Sequence, residues 1–258
     1  MKTAVFQFGS TKDMHCNFAA IKRAIAQASE KKVRLLVFHE CAACGYPPIE
    51  TDINTIDFHA LDTSIAEIQK LAKEHAMYIA LGTIRKEGAK NYNSILLLNP
   101  NGEIMGHHDK RALWGWDVNN FAKGNSLGVF EIDNIIVGFR ICFEIRFPEY
   151  FRELFKAKAQ LCFVSFSDVS EKESLGRYET IKSHLLTRAV ENVMTVVSVN
   201  SISKFQTAPT AVFDINGMVV NEAPKNEEHL LVYDYAPPEI GYSARGRIQN
   251  SIDILNLC

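Results

Sequence analysis

The chain has 258 residues, 47% hydrophobic and 22% charged, enough to fill one large core in a single domain spanning 1–258. Its formal net charge of −2, with no long Lys/Arg cluster, argues against nucleic acid or an anionic membrane as partner. The six cysteines are scattered, no apolar stretch is long enough to span a bilayer, and "MKTAVFQFGSTKDM" is too brief for a secretory signal, so a cytoplasmic protein with reduced thiols is expected.

Short apolar, β-branched-rich runs alternate with amphipathic stretches from one end to the other. "TAVFQF" reads as a strand, and residues 17–32 as a helix with Phe18, Ile21, Ile25 and Ala28 on one face. "RLLVFHE" is a buried strand ending at Glu40, and residues 64–76 are helical with Thr63 or Ser64 as the cap. "MYIALGTI" and "NSILLLNP" are strands, and the Asn-Gly pair of "NPNGEI" turns a tight hairpin. After a loop the same order returns. "NIIVGFRI" is a strand ending at Cys142, and a helix follows with Pro148 in its first turn. "QLCFVSF" is a strand, residues 176–193 a helix, "MTVVSVNS" a strand, and "AVFDINGMVV" a second Asn-Gly hairpin. Two halves of like order suggest two sheets stacked face to face under outer helices. The Pro- and Gly-punctuated tail, about 236–258, is expected to wrap the body or a neighbouring subunit.

In α/β sheets function gathers where strands end and loops begin. Glu40, Lys110 and Cys142 occupy three such places. Singly, each has a plain structural reading: a capping or surface acid, a solvated lysine, a small buried hydrophobe. Together they make a base, an oxyanion stabiliser and a nucleophile, provided that they meet in space.

"FHECAACGY", "GHHDKRALW" and "GFRICFEIRFPE" resemble, in order, the glutamate, lysine and cysteine segments of the carbon–nitrogen hydrolase (nitrilase) superfamily. "LTRAVENVMTVVSVNS" and "AVFDINGMVV" resemble its later helix, strand and hairpin, so the likeness runs from about residue 3 to about 250. The resemblance implies an α/β fold of the αββα sandwich type, two mixed sheets flanked by helices. It implies Glu40 as general base, Lys110 as transition-state cation and Cys142 as nucleophile, with no metal or organic cofactor and a homodimer or larger homo-oligomer. The backbone N–H of Phe143 would assist Lys110 in holding the oxyanion. Tyr46, Trp114, Glu144, Arg146 and Phe166 complete the candidate substrate contacts. Arg146 offers a fork for a substrate carboxylate, with pairing to Glu149 as the structural alternative. The expected activity is hydrolysis of a linear carboxamide or N-carbamoyl compound through a thioester, and "RFPE" leans toward the ω-amidase-like branch. Nitrile hydrolysis, or a non-catalytic oligomeric scaffold, is the alternative.

The chain departs from the family pattern at three places. His39 stands where proline usually precedes the glutamate, and His108 where tyrosine lies two residues before the lysine. In "DVNNFAKG", Asp117 takes the place of a second glutamate found in many amidases of the group. It is read either as orienting Lys110 or the substrate nitrogen, or as capping a turn near "WGWD". "CAAC" at 41–44 has redox spacing but runs into Gly and two prolines, so these thiols are expected at or behind the pocket wall. His184, the helix histidine of the second half, is expected to pack rather than serve as base to a cysteine.

Overall fold

The computed structural model describes residues 1–257. In chain order the first half comprises β1 (Lys2–Gln7), α1 (Met14–Glu30), β2 (Leu35–Phe38), α2 (Phe58–Glu74), β3 (Tyr78–Glu87), β4 (Lys90–Leu98) and β5 (Ile104–Asp109). A short helix, α3 (Asp117–Asn120), leads to β6 (Val129–Ile132), β7 (Ile135–Ile141), a 3₁₀ turn at Cys142–Arg146, and α4 (Pro148–Lys156). Then come β8 (Leu161–Phe166), β9 (Val169–Ser170), α5 (Leu175–Asn192), β10 (Thr195–Asn200), β11 (Phe205–Gln206), β12 (Ala211–Phe213), β13 (Val219–Glu222), β14 (His229–Asp234) and α6 (Tyr242–Ile254).

Two six-stranded mixed sheets result, ordered β14-β1-β2-β3-β4-β5 and β13-β12-β10-β8-β7-β6. In the first, β1, β2 and β3 run parallel and β4 and β5 follow antiparallel. In the second, β7, β8 and β10 run parallel and β12 and β13 follow antiparallel.

Side chains alternate across each strand, and both faces of the sheets are covered. On β2, Leu35 and Val37 join Val5, Ile95, Phe139, Phe163 and Val197 in the layer between the sheets. Leu36 and Phe38 turn the other way, into the layer under α1 and α2 with Ile21, Ile25, Ile65 and Ile68. A third apolar layer lies between the second sheet and α4 and α5. The molecule is an αββα sandwich, as its resemblance implied. No helix among the described residues is long and apolar enough to cross a membrane.

One local expectation needs correction. Helix α2 starts at Phe58, capped by Asp57, whose carboxylate accepts the Ala60 N–H at 3.0 Å. Thr63 and Ser64 lie inside it, their hydroxyls donating back to the carbonyls of His59 and Ala60 at 2.9 Å. "HLLVYD" forms β14, which closes one edge of the first sheet by antiparallel pairing with β1. The tail is helical from Tyr242 to Ile254 and lies on this chain's own body, where Arg152 Nη1 donates to Ser251 Oγ at 3.1 Å.

Candidate active site

Glu40 stands two residues beyond β2, in a turn that packs directly on β3: the Ala43 N–H donates to Gly82 O at 3.0 Å. Three donors converge on its carboxylate. Oε1 accepts from Lys110 Nζ at 2.8 Å and from Asn93 Nδ2 at 2.7 Å, while Oε2 accepts from the Ser167 N–H at 2.8 Å. Lys110 follows β5, its own N–H bonded to Asn93 O at 2.8 Å. Its ammonium reaches a second carboxylate, Asp117 Oδ2, at 2.7 Å. Asp117 opens α3, takes the Tyr46 hydroxyl at 2.6 Å and the Trp114 N–H at 3.0 Å, and so both holds Lys110 and caps its turn. Glu40, Lys110 and Asp117 are all buried.

Cys142 follows β7 and has φ +44°, a left-handed conformation seldom adopted by a side-chain-bearing residue. It shares with Lys110 the wall of a cavity of about 290 Å³. Tyr46, Ile49, Trp114, Trp116 and residues 167–170 supply much of the remaining lining, and Phe143, Arg146 and Phe166 also reach it. Trp114 and Trp116 meet edge to face at 4.7 Å and both contribute to this wall.

Burial pushes the Cys142 thiol well above its ordinary range; Glu40 adds to the rise and Lys110 offsets part of it. Glu40 is raised too, by burial, against the pull of Lys110 and with reinforcement from Asp117. For Lys110 burial works downward, but Glu40, Cys142 and Asp117 outweigh it and hold the ammonium well above its usual value. Two carboxylates share a single ammonium, so a thiolate would add a second uncompensated negative charge. Proton transfer from Cys142 to Glu40 leaves the total unchanged, and the three groups titrate as a set. The arrangement can deprotonate a thiol during attack and keep a fixed cation beside the cavity.

Several candidates have other places. Glu144 lies beneath the elbow, fully buried and outside the cavity lining, because its carboxylate accepts the N–H groups of Ile141 at 2.7 Å and Arg111 at 2.9 Å. Arg146 does not pair with Glu149: among the described residues it meets no carboxylate, and its Nη1 lies 3.4 Å from His184 Nε2. His184 Nδ1 turns back to Thr180 O at 2.8 Å, within its own helix. Cys41 and Cys44 are buried behind Glu40, outside the cavity wall, and burial raises both thiols, Cys44 to about 12. Burial lowers His39 to about 4; its ring packs on Phe8 at 4.7 Å, and Nδ1 donates to the Glu40 carbonyl at 3.0 Å. Two partners of Glu40 escaped the motif reading, Asn93 and Ser167. The signal for Asn93 is an amide in an otherwise apolar run, "NSILLL"; Ser167 simply follows a strand end.

Comparison with known proteins agrees with this architecture. The family model described as carbon-nitrogen hydrolase matches residues 2–244. The chain is 28% identical over 188 residues to the 2-oxoglutaramate amidase of Bacillus subtilis, covering 70% of this chain and 69% of that protein. It is 26% identical over 251 residues to the deaminated glutathione amidase of Dictyostelium discoideum, covering 88% and 85%. A nitrilase and fragile histidine triad fusion protein of Caenorhabditis elegans is 28% identical, and this chain spans 46% of its length. Among solved structures, an amidase from Nesterenkonia sp. superposes with a TM-score of 0.84 at 21% identity, covering 99% of this chain and 95% of that one. A cysteine-to-alanine variant of that amidase, solved in complex with butyramide, superposes at 0.85 with the same identity and coverage. A family match across nearly the whole chain, on this fold, makes the protein a member of the carbon–nitrogen hydrolase family.

Proposed function

We propose that the protein hydrolyses a linear carboxamide or N-carbamoyl compound through a thioester on Cys142, releasing ammonia and an acid. The observation that carries this reading is the Lys110 ammonium, held 2.8 Å from Glu40 and 2.7 Å from Asp117 beside the cavity that Cys142 lines. Glu40 takes the thiol proton as sulfur attacks the carbonyl carbon, and the oxyanion is held by Lys110 Nζ and the Phe143 N–H. One such donor lowers the barrier by roughly 3–4 kcal/mol. Collapse breaks the C–N bond, with the proton on Glu40 passing to the departing nitrogen. Glu40 then takes a proton from water, whose oxygen attacks the thioester and frees the acid and the thiol. These steps call on no metal or organic cofactor.

Within that class we favour a small monoamide with a carboxylate at its far end. Arg146 supports this, since it lines the cavity and meets no acid among the described residues. Relatives named for 2-oxoglutaramate and deaminated glutathione support it as well. The same family resemblance supports a homodimer or larger homo-oligomer. Ammonia release from amides with and without a distal carboxylate, beside the corresponding nitriles, tests the activity. Cys142→Ala should lower the rate on the order of a thousandfold or more. Equal release by the parent and Cys142→Ala would sink the reading in favour of a binding scaffold, and faster turnover of nitriles would reassign the substrate.

A further inference from the structure

Glu144 and His108 form a buried tie between the two chain segments that carry the ammonium and the thiol. Glu144 Oε1 accepts from the N–H of Arg111, the residue after Lys110, at 2.9 Å. Its Oε2 accepts from the N–H of Ile141, the residue before Cys142, at 2.7 Å, and from His108 Nε2 at 3.0 Å. One carboxylate thus binds residues on both sides of Lys110, and it belongs to the turn that Cys142 opens. Burial raises the proton affinity of Glu144, but His108, the Arg140 guanidinium and the Ile141 N–H outweigh it and leave the acid at about 2. It is an acceptor throughout the working range. The histidine has one partner for a ring hydrogen, the Glu144 carboxylate. Its Nδ1 is buried without a hydrogen-bond partner among the described residues and faces Gly128, where a Cβ would lie 2.4 Å from that nitrogen. A ring hydrogen on Nε2 meets the Glu144 carboxylate in this geometry.

We propose that His108, acting through Glu144, is a positioning residue for the reaction: its Nε2–H bond fixes the Lys110 strand end against the Cys142 elbow. The strained elbow explains why such a tie is required. A positive φ at Cys142 persists only where its surroundings over-determine it, and the Glu144 carboxylate pins that backbone at Ile141. The proposal rests on the hydrolytic reading above only for its catalytic consequence; the geometry of the thiol can be tested without substrate.

The test compares His108→Phe, which keeps a ring and loses the donor, with His108→Gln, which restores an N–H. Turnover, and iodoacetamide alkylation of the Cys142 peptide followed by mass spectrometry, are the two readouts. His108→Phe should lower kcat about 10- to 100-fold with KM within about twofold, because small misplacement of reacting groups is enough for such a loss. Alkylation should slow in parallel, and His108→Gln should recover both rates to within about threefold of the parent. Glu144→Gln, which turns one acceptor into a donor facing a donor, should show the same paired deficit and serves if His108→Phe does not fold. Parent-like kcat and alkylation in His108→Phe or Glu144→Gln would overturn the proposal. So would a His108→Gln variant as slow as His108→Phe, since ring volume would then be the cause. Undiminished turnover by Cys142→Ala would instead sink the hydrolytic reading, leaving the alkylation result to judge the tie.

Discussion

Asp117 is one methylene shorter than the glutamate of the segment it resembles, and the structure shows how the gap is bridged. Tyr46 and the Trp114 N–H fix the shorter carboxylate, and Lys110 Nζ comes to 2.7 Å. Its charge should therefore be felt by both other members of the cluster. Burial and then Asp117 raise Glu40, with Lys110 opposing; among the opposing influences on Lys110, Asp117 acts upward. A general base is active when deprotonated, so kcat/KM should fall as pH drops through a Glu40 value above the ordinary 4.5. Replacing Asp117 by Asn removes one upward influence on Glu40, and the acid limb should move to lower pH. It also removes one upward influence on Lys110, so the alkaline limb should move in the same direction. The whole bell should slide acidward, with a loss of about tenfold in kcat/KM at its top. A pH–rate profile of the same shape and position as the parent's would remove the Asp117 charge from the catalytic electrostatics. None of this could be read from the sequence beyond the bare candidacy of Asp117. The identity of the residue was visible, but the hydroxyl, amide and ammonium that meet it come from positions 46, 114 and 110, brought together only by folding.

Elements position these residues by close contact, and Gly82 on β3 shows how tight the fit is. A Cβ at Gly82 would lie 1.8 Å from His39 O and 3.0 Å from Cys41 N, the two residues flanking Glu40. The turn itself is already committed, since Cys41 has φ +51°. Gly82→Ala must push that turn away from β3, and Glu40 moves with it. We expect a stability loss of about 3 kcal/mol in denaturant titration. We also expect kcat/KM per folded molecule to fall about a hundredfold, because displacement near 1 Å is that costly to a catalytic constellation. Unchanged stability and turnover would show that β3 does not set the glutamate's position. The strand–helix order was readable because hydrophobic periodicity is a local signal. Helix α2 was read six residues late because its start depends on Asp57 and on Phe58 and Leu61, which lie before the clearest part of the pattern. Helix α6 was missed since only Ala244 and Ser251 are buried along it, which leaves no apolar stripe.

At the scale of the molecule, the two halves repeat one plan: three parallel strands followed by two antiparallel ones. The candidate site does not repeat with it, because Glu40 and Lys110 come from the first sheet and Cys142 and Ser167 from the second. Contacts such as Ser165 Oγ to Phe38 O at 2.9 Å and Ser167 N–H to Glu40 Oε2 at 2.8 Å join the sheets at this seam. Like order in the two halves suggested the sandwich, but alternation along a strand tells only that a face is covered, not which partner covers it. The choice of partners was therefore supplied by the likeness to a family and not by periodicity. The seam can be tested from its apolar side. Phe139, fully buried on β7, stacks on Phe163 at 5.8 Å and meets Phe130 edge to face at 5.9 Å, in the layer between the sheets. Phe139→Ala should reduce unfolding free energy by about 3–5 kcal/mol, as expected for deleting a buried ring and leaving a cavity. Assayed well below its own unfolding transition, the variant should retain kcat to within about threefold, since the hydrogen bonds at Glu40, Lys110 and Glu144 fix the site independently of this packing. Loss of kcat without loss of stability would mean that the aromatic stack itself sets the Cys142 elbow, and that packing between the sheets, more than the polar ties at their rim, aligns the two halves of the site.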